Sequence, residues 1–104
     1  MPRFRETVPI DDYVLDVLMR DLVGHDHQAA AFLVYLYLYR QAQQQKWRPV
    51  IASLRMVAEA TGLSKSTAQI AVEKLRARQL IRCMKDYATA IPKYRILRHW
   101  RESA

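Results

Sequence analysis

Residues 53–81 read SLRMVAEATGLSKSTAQIAVEKLRARQLI, and this stretch decides the fold. The Ser53 hydroxyl suits a helix N-cap. Leu54, Val57 and Ala58 give the helix that follows an inward face through about Ala60. Thr61-Gly62-Leu63 breaks it, and Ser64 caps a second helix expected over 65–79, with Ala68, Ala71, Val72 and Leu75 along one side. Two helices that cross closely need a small residue midway along the first. They favour a glycine four positions later, where the turn takes a positive φ. Ala58 and Gly62 stand at that spacing. The second helix opens with the short polar run Ser64-Lys65-Ser66-Thr67, so its uncommitted face points away from the core.

Working outward, residues 80–85 and 93–97 are β-prone, and the polar link 86–92 between them reads as the loop of a hairpin. Upstream, Pro49-Val50-Ile51-Ala52 is a short β-prone connector. Tyr35-Leu36-Tyr37-Leu38-Tyr39 alternates as a strand does, but no Gly or Pro interrupts residues 26–45. A run of about 20 residues is too long for an ordinary strand, so a central buried helix is expected, capped by Asp26. Ahead of it, Val14, Leu15, Leu18, Met19 and Leu22 form an apolar stripe on a helix over 11–23. Asp11 would cap this helix, Ile10 and Leu15 would staple across the cap, and Gly24 would end it. The expected fold class is mainly α with a small β-hairpin. The chain divides into an additional N-terminal helix (11–23), a core (25–97) and a tail (98–104) within one domain.

The 104 residues carry 17 bases and 10 acids, a net charge of +7. Residues 1–52 hold six of each, so the whole excess lies in residues 53–104. That asymmetry points to a polyanion meeting the second half. The longest apolar run, 29–39, falls short of the roughly 20 residues that span a bilayer, so no membrane partner is expected. Met1-Pro2-Arg3-Phe4-Arg5-Glu6 lacks the apolar core of a secretory signal. A single cysteine, Cys83, precludes an internal disulfide or a cysteine-built zinc cage and reads as a buried small hydrophobe. A cytoplasmic, nucleoid-associated protein is expected.

The pattern Ala58-x-x-x-Gly62-Leu63-Ser64-Lys65-Ser66-Thr67-Ala68, followed by Leu75 and Leu80-Ile81, resembles the winged helix-turn-helix family of bacterial, phage and plasmid DNA-binding proteins. The likeness extends through a wing to Leu97 and covers about two-thirds of the chain. It implies a three-helix core with a β-hairpin wing, and binding of double-stranded DNA with helix 64–79 in the major groove and hairpin 80–97 as the wing. Two positions depart from the family's habit: Gln79 stands where glycine is common, and Ile70 where a polar residue is common. If Ala68, Ala71, Val72 and Leu75 face inward, Lys65, Ser66, Gln69, Ile70 and Glu73 face DNA. Gln69 and Lys65 are then the candidates for base edges. Ser64, Ser66 and Thr67 sit at a helix N-terminus suited to phosphate. Ser53 and Arg55 would clamp the adjacent phosphate, and Lys74, Arg76, Arg78, Arg82, Lys85 and Lys93 would surround the wing. Ile70 either meets a thymine methyl group or packs on the wing. Glu73 either repels phosphate or accepts from cytosine.

His25-Asp26-His27 reads as a helix start rather than a metal site, and the tyrosines at 35, 37 and 39 as core. No metal and no cofactor is expected, nor any catalytic residue, since the chain lacks a Ser/His/Asp set, a phosphate loop and a framed carboxylate pair. Residues 11–39 carry more apolar face than the domain must bury, which suits a homodimer; the alternative is a helix that only covers the back of the core. The sequence reading is a prokaryotic transcriptional regulator without an effector domain. Its rivals are the DNA-binding module of a phage or plasmid replication initiator and a winged scaffold for an acidic protein partner.

Overall fold

The computed structural model describes residues 7–101. The charged start, residues 1–6, and the last three residues of the expected tail lie outside them.

The N-terminal helix runs as two π-wound segments, Val14–Leu18 and Arg20–His25. A side chain four positions on advances by about 40° in an ordinary α-helix. The wider winding takes up that drift and keeps Val14, Leu18 and Leu22 buried in one line, with Leu15, Met19 and Val23 left exposed. Three expectations fail here. Gly24 does not end the helix, which closes instead at His27, at φ 53°. Asp11 gives no side-chain cap, because its carboxylate is held by Trp100 Nε1 (2.8 Å) and by both ends of the Arg101 fork (2.6 and 2.7 Å). Ile10 and Leu15 are both exposed, so no staple forms.

The central helix α1, Ala29–Gln44, buries Ala31, Phe32, Val34, Tyr35, Leu38, Tyr39 and Ala42. Its helical state, its burial and its end are as the breaker-free run predicts. Its start is not, since Gln28 occupies the cap position without a side-chain bond and Asp26 is committed elsewhere. α1 ends in two consecutive left-handed residues, Lys46 (φ 59°) and Trp47 (φ 67°). The Trp47 N–H reaches back to the Ala42 carbonyl at 2.7 Å, and its ring meets Tyr39 edge-on at 4.9 Å.

β1 (Val50–Ile51), α2 (Leu54–Thr61), α3 (Lys65–Ala77), β2 (Ile81–Met84) and β3 (Lys93–Ile96) follow. The connector joins the hairpin as a third strand, giving an antiparallel sheet of order β1-β3-β2. Cys83, Tyr94 and Val50 share the inner face by register. Tyr94 and Val50 are buried, whereas Cys83 is only half-buried, less than expected. α3 packs on α1 and α2. The fold is a mainly helical winged helix-turn-helix with a small sheet and an additional N-terminal helix. Beyond β3, a short turn at His99–Arg101 folds back, and Trp100 stacks on Tyr13 with centroids 4.7 Å apart. Among the described residues, no helix is long and apolar enough to cross a membrane.

Candidate nucleic-acid interface

Two serine caps and two left-handed exits set the geometry of α2 and α3. Ser53 Oγ accepts from the Met56 N–H at 3.1 Å, and α2 ends at Gly62 (φ 79°). The Leu63 N–H returns to the Ala58 carbonyl at 3.1 Å, closing the last turn. Ala58 is buried. Ser64 Oγ accepts from the Thr67 N–H (3.1 Å) and donates to Thr67 Oγ1 (2.8 Å). The Ser64 hydroxyl is therefore spent on the helix start, whereas the hydroxyl protons of Thr67 and Ser53 remain free to donate.

α3 leaves Arg78 at its cap and Gln79 just beyond, with Gln79 at φ 58°. The Leu80 N–H bonds to the Leu75 carbonyl (2.9 Å) and the Gln79 N–H to the Arg76 carbonyl (3.0 Å). Leu80 and Leu75 are both buried, which completes the pattern of a glycine-type helix exit. The chain thus makes the turn that glycine would favour, with a glutamine in the strained position.

Ala68, Ala71, Val72 and Leu75 are buried, as their spacing predicts. Lys65, Ser66, Gln69, Ile70 and Glu73 are exposed. Ile70 keeps 53% of its surface open, so it does not pack on the wing and stands on the outer face of α3.

The structure brings four of the sequence candidates together. Ser53 and Arg55 of α2, Lys65 of α3 and Lys85 beyond β2 line one groove of about 300 Å³, closed by the hairpin loop at Thr89, Ala90, Ile91 and Pro92. Arg55 carries a partner on its own helix, Glu59, at 3.0 Å. Lys65 and Lys85 have no carboxylate partner among the described residues. Exposed pairs of the Arg55–Glu59 kind contribute well under about 1 kcal/mol, so a phosphate can displace the glutamate.

Other candidates lie elsewhere. Lys93 is paired with Asp86 at 3.3 Å. Lys74 is half-buried on the flank of α3 near Asp26, whose ionised form its charge favours. Arg78 does not serve the wing: its fork grips Asp26 at 2.7 and 2.8 Å, tying the end of the N-terminal helix to the end of α3. That pair holds the Asp26 carboxyl well below the usual carboxylate range, with His25 Nδ1 at 2.8 Å adding to the effect. Arg82 stands on the outer face of the sheet, opposite Arg95. Arg95 and Arg98 were not singled out from sequence. The alternation Lys93-Tyr94-Arg95-Ile96, with its apolar members buried, is the signal that places Arg95 outward.

A family model described as a helix-turn-helix domain matches residues 28–81, just over half of the chain, from the start of α1 to the first residue of β2. Neither the curated proteins nor the solved structures contain a match to the chain.

Proposed function

This chain belongs to the helix-turn-helix domain family, and from that premise we propose that it binds double-stranded DNA sequence-specifically, as a regulator of transcription. The observation that carries the reading is the convergence of Lys65, Arg55, Ser53 and Lys85 from separate elements on one groove beside the open face of α3. A helix entering the major groove needs its polar face free and its flanks anchored on phosphate. Here Gln69 and Lys65 are the base-reading residues, Ser66 and Ile70 complete the face, and the groove residues hold the backbone. Glutamine can pair with adenine, and an exposed isoleucine offers apolar contact to a thymine methyl group.

A second copy completes the proposed assembly. Leu15, Met19 and Val23 lie exposed along the N-terminal helix. An antiparallel two-fold pairing about Met19 sets Leu15 against the partner's Val23, so the stripe is complementary to itself.

Titration of labelled duplex at several salt concentrations tests the reading. Affinity should fall with a log–log slope of about −0.9 per neutralised phosphate. Lys65→Ala and Gln69→Ala should each weaken binding to a selected site by about 1–3 kcal/mol, roughly 5- to 150-fold. Unchanged affinity in both variants would show that α3 is not the reading element.

A further inference from the structure

Four arginines make a continuous line that starts on α3 and leaves it. Arg76, on the last turns of α3, shares a groove of about 380 Å³ with Arg82 of β2. Arg82 faces Arg95 directly across the β2–β3 pair, both on the outer surface of the sheet. Arg95 in turn shares a groove of about 340 Å³ with Arg98 and Trp47, where the Arg98 guanidinium stacks 3.5 Å from the centre of the indole ring. None of the four has a carboxylate partner among the described residues.

Like charges placed directly opposite on a strand pair destabilise the sheet, so the Arg82–Arg95 pair is unfavourable until an anion lies across it. Stacking uses the flat face of the Arg98 guanidinium and leaves its N–H edge free to fork onto a phosphate. We propose that this line is a second tract for nucleic acid, holding the sugar–phosphate backbone of duplex that flanks the stretch read by α3. The inference rests on duplex binding by α3. Continuity favours flanking duplex over a separate partner, since the line begins on the recognition helix itself and crosses edge strand β2 without an acid interrupting it.

The test compares a short duplex selected on the wild-type protein with the same duplex extended by about one helical turn, 10 base pairs, on each side. Wild type should bind the longer duplex more tightly and with a steeper salt dependence. Arg95→Gln/Arg98→Gln should abolish that advantage, flattening the slope on the long duplex by about 2, as expected for two lost phosphates, and should leave the short duplex unaffected. Arg95→Gln alone removes a fully outward side chain, so it serves if losing the Trp47 stack loosens the fold; it should flatten the slope by about 1. A double variant that keeps the length advantage, or one that weakens short and long duplexes equally, overturns the tract but leaves the reading of α3 intact. Arginine-dependent binding of an equally long single strand in preference to duplex overturns the assignment to duplex. A wild type that binds no duplex at all overturns both proposals.

Discussion

Gln79→Gly should stabilise the protein, and its size can be worked from the backbone. Gln79 sits at φ 58° in the exit from α3, where an L side chain costs about 1–2 kcal/mol. Its side chain is exposed and makes no hydrogen bond among the described residues, so little is lost with it. Glycine adds unfolded-state freedom, which takes back about 0.5–1 kcal/mol. The midpoints of the two terms leave a gain of about 0.75 kcal/mol, which raises Tm by about 3–6 °C for a domain of this size. Thermal unfolding followed by circular dichroism, with urea unfolding beside it, measures the change. The urea midpoint should rise at constant m, since the surface exposed on unfolding is unaltered. Gln79→Ala is the control: it keeps a Cβ in the left-handed position and should give no comparable gain. A glycine variant no more stable than wild type, or an alanine variant that gains as much, would refute the left-handed exit and the path it sets into β2.

Two other expectations concern the N-terminal helix. Arg101 and Arg78 hold the Asp11 and Asp26 carboxyls far below their ordinary range, so the unfolded chain takes up protons at these groups before the folded chain does. Their stabilisation is present above the unfolded carboxylate pKa of about 4 and is lost as pH falls below it towards the lowered folded values. Asp26→Asn should cost about 1 kcal/mol at pH 7, given the half-exposed Arg78, and the deficit relative to wild type should shrink in acid melts; a deficit that stays constant down to pH 2 would disprove the linkage. For the apolar stripe, sedimentation should show a wild-type dimer at micromolar concentration and a monomeric Met19→Asp. A monomeric wild type ends that assembly.

The two serine caps, the Ala58–Gly62 spacing and the buried side of α3 were legible because each depends on a few adjacent residues whose chemistry permits little else. What escaped was the left-handed backbone at the helix ends that lack a glycine. His27, Lys46, Trp47 and Gln79 all take positive φ. No local preference marks them, since tertiary contacts hold them there: the Trp47 ring lies between Tyr39 and Arg98. Gly24 misled in the opposite sense, because the helix runs through it and a Cβ there would meet nothing within 4 Å. The aspartates at 11 and 26 read as caps for want of any sign of partners 90 and 52 residues away. Part of the site was hidden for a similar reason, because the nearness of Lys85 to Lys65 depends on how the hairpin loop returns to α2.

Those long-range pairs also change what the charge asymmetry means. In sequence, the neutral half and the basic half divide at about residue 52, as if the first half were electrically idle. In space, Asp11 and Asp26 cross over to neutralise Arg101 and Arg78, two of the cations on the basic side. Within that half, Glu59 and Asp86 answer Arg55 and Lys93. Lys65, Lys74, Lys85, Arg76, Arg82, Arg95 and Arg98 remain without an ion-pair partner among the described residues. They lie on α3, the hairpin, the outer sheet face and the segment just beyond β3, away from the apolar stripe of the N-terminal helix. The N-terminal helix therefore does more than cover the core, since Asp26 at its end neutralises Arg78 at the far end of α3. A uniformly basic surface of equal net charge would attract DNA without orienting α3 towards it.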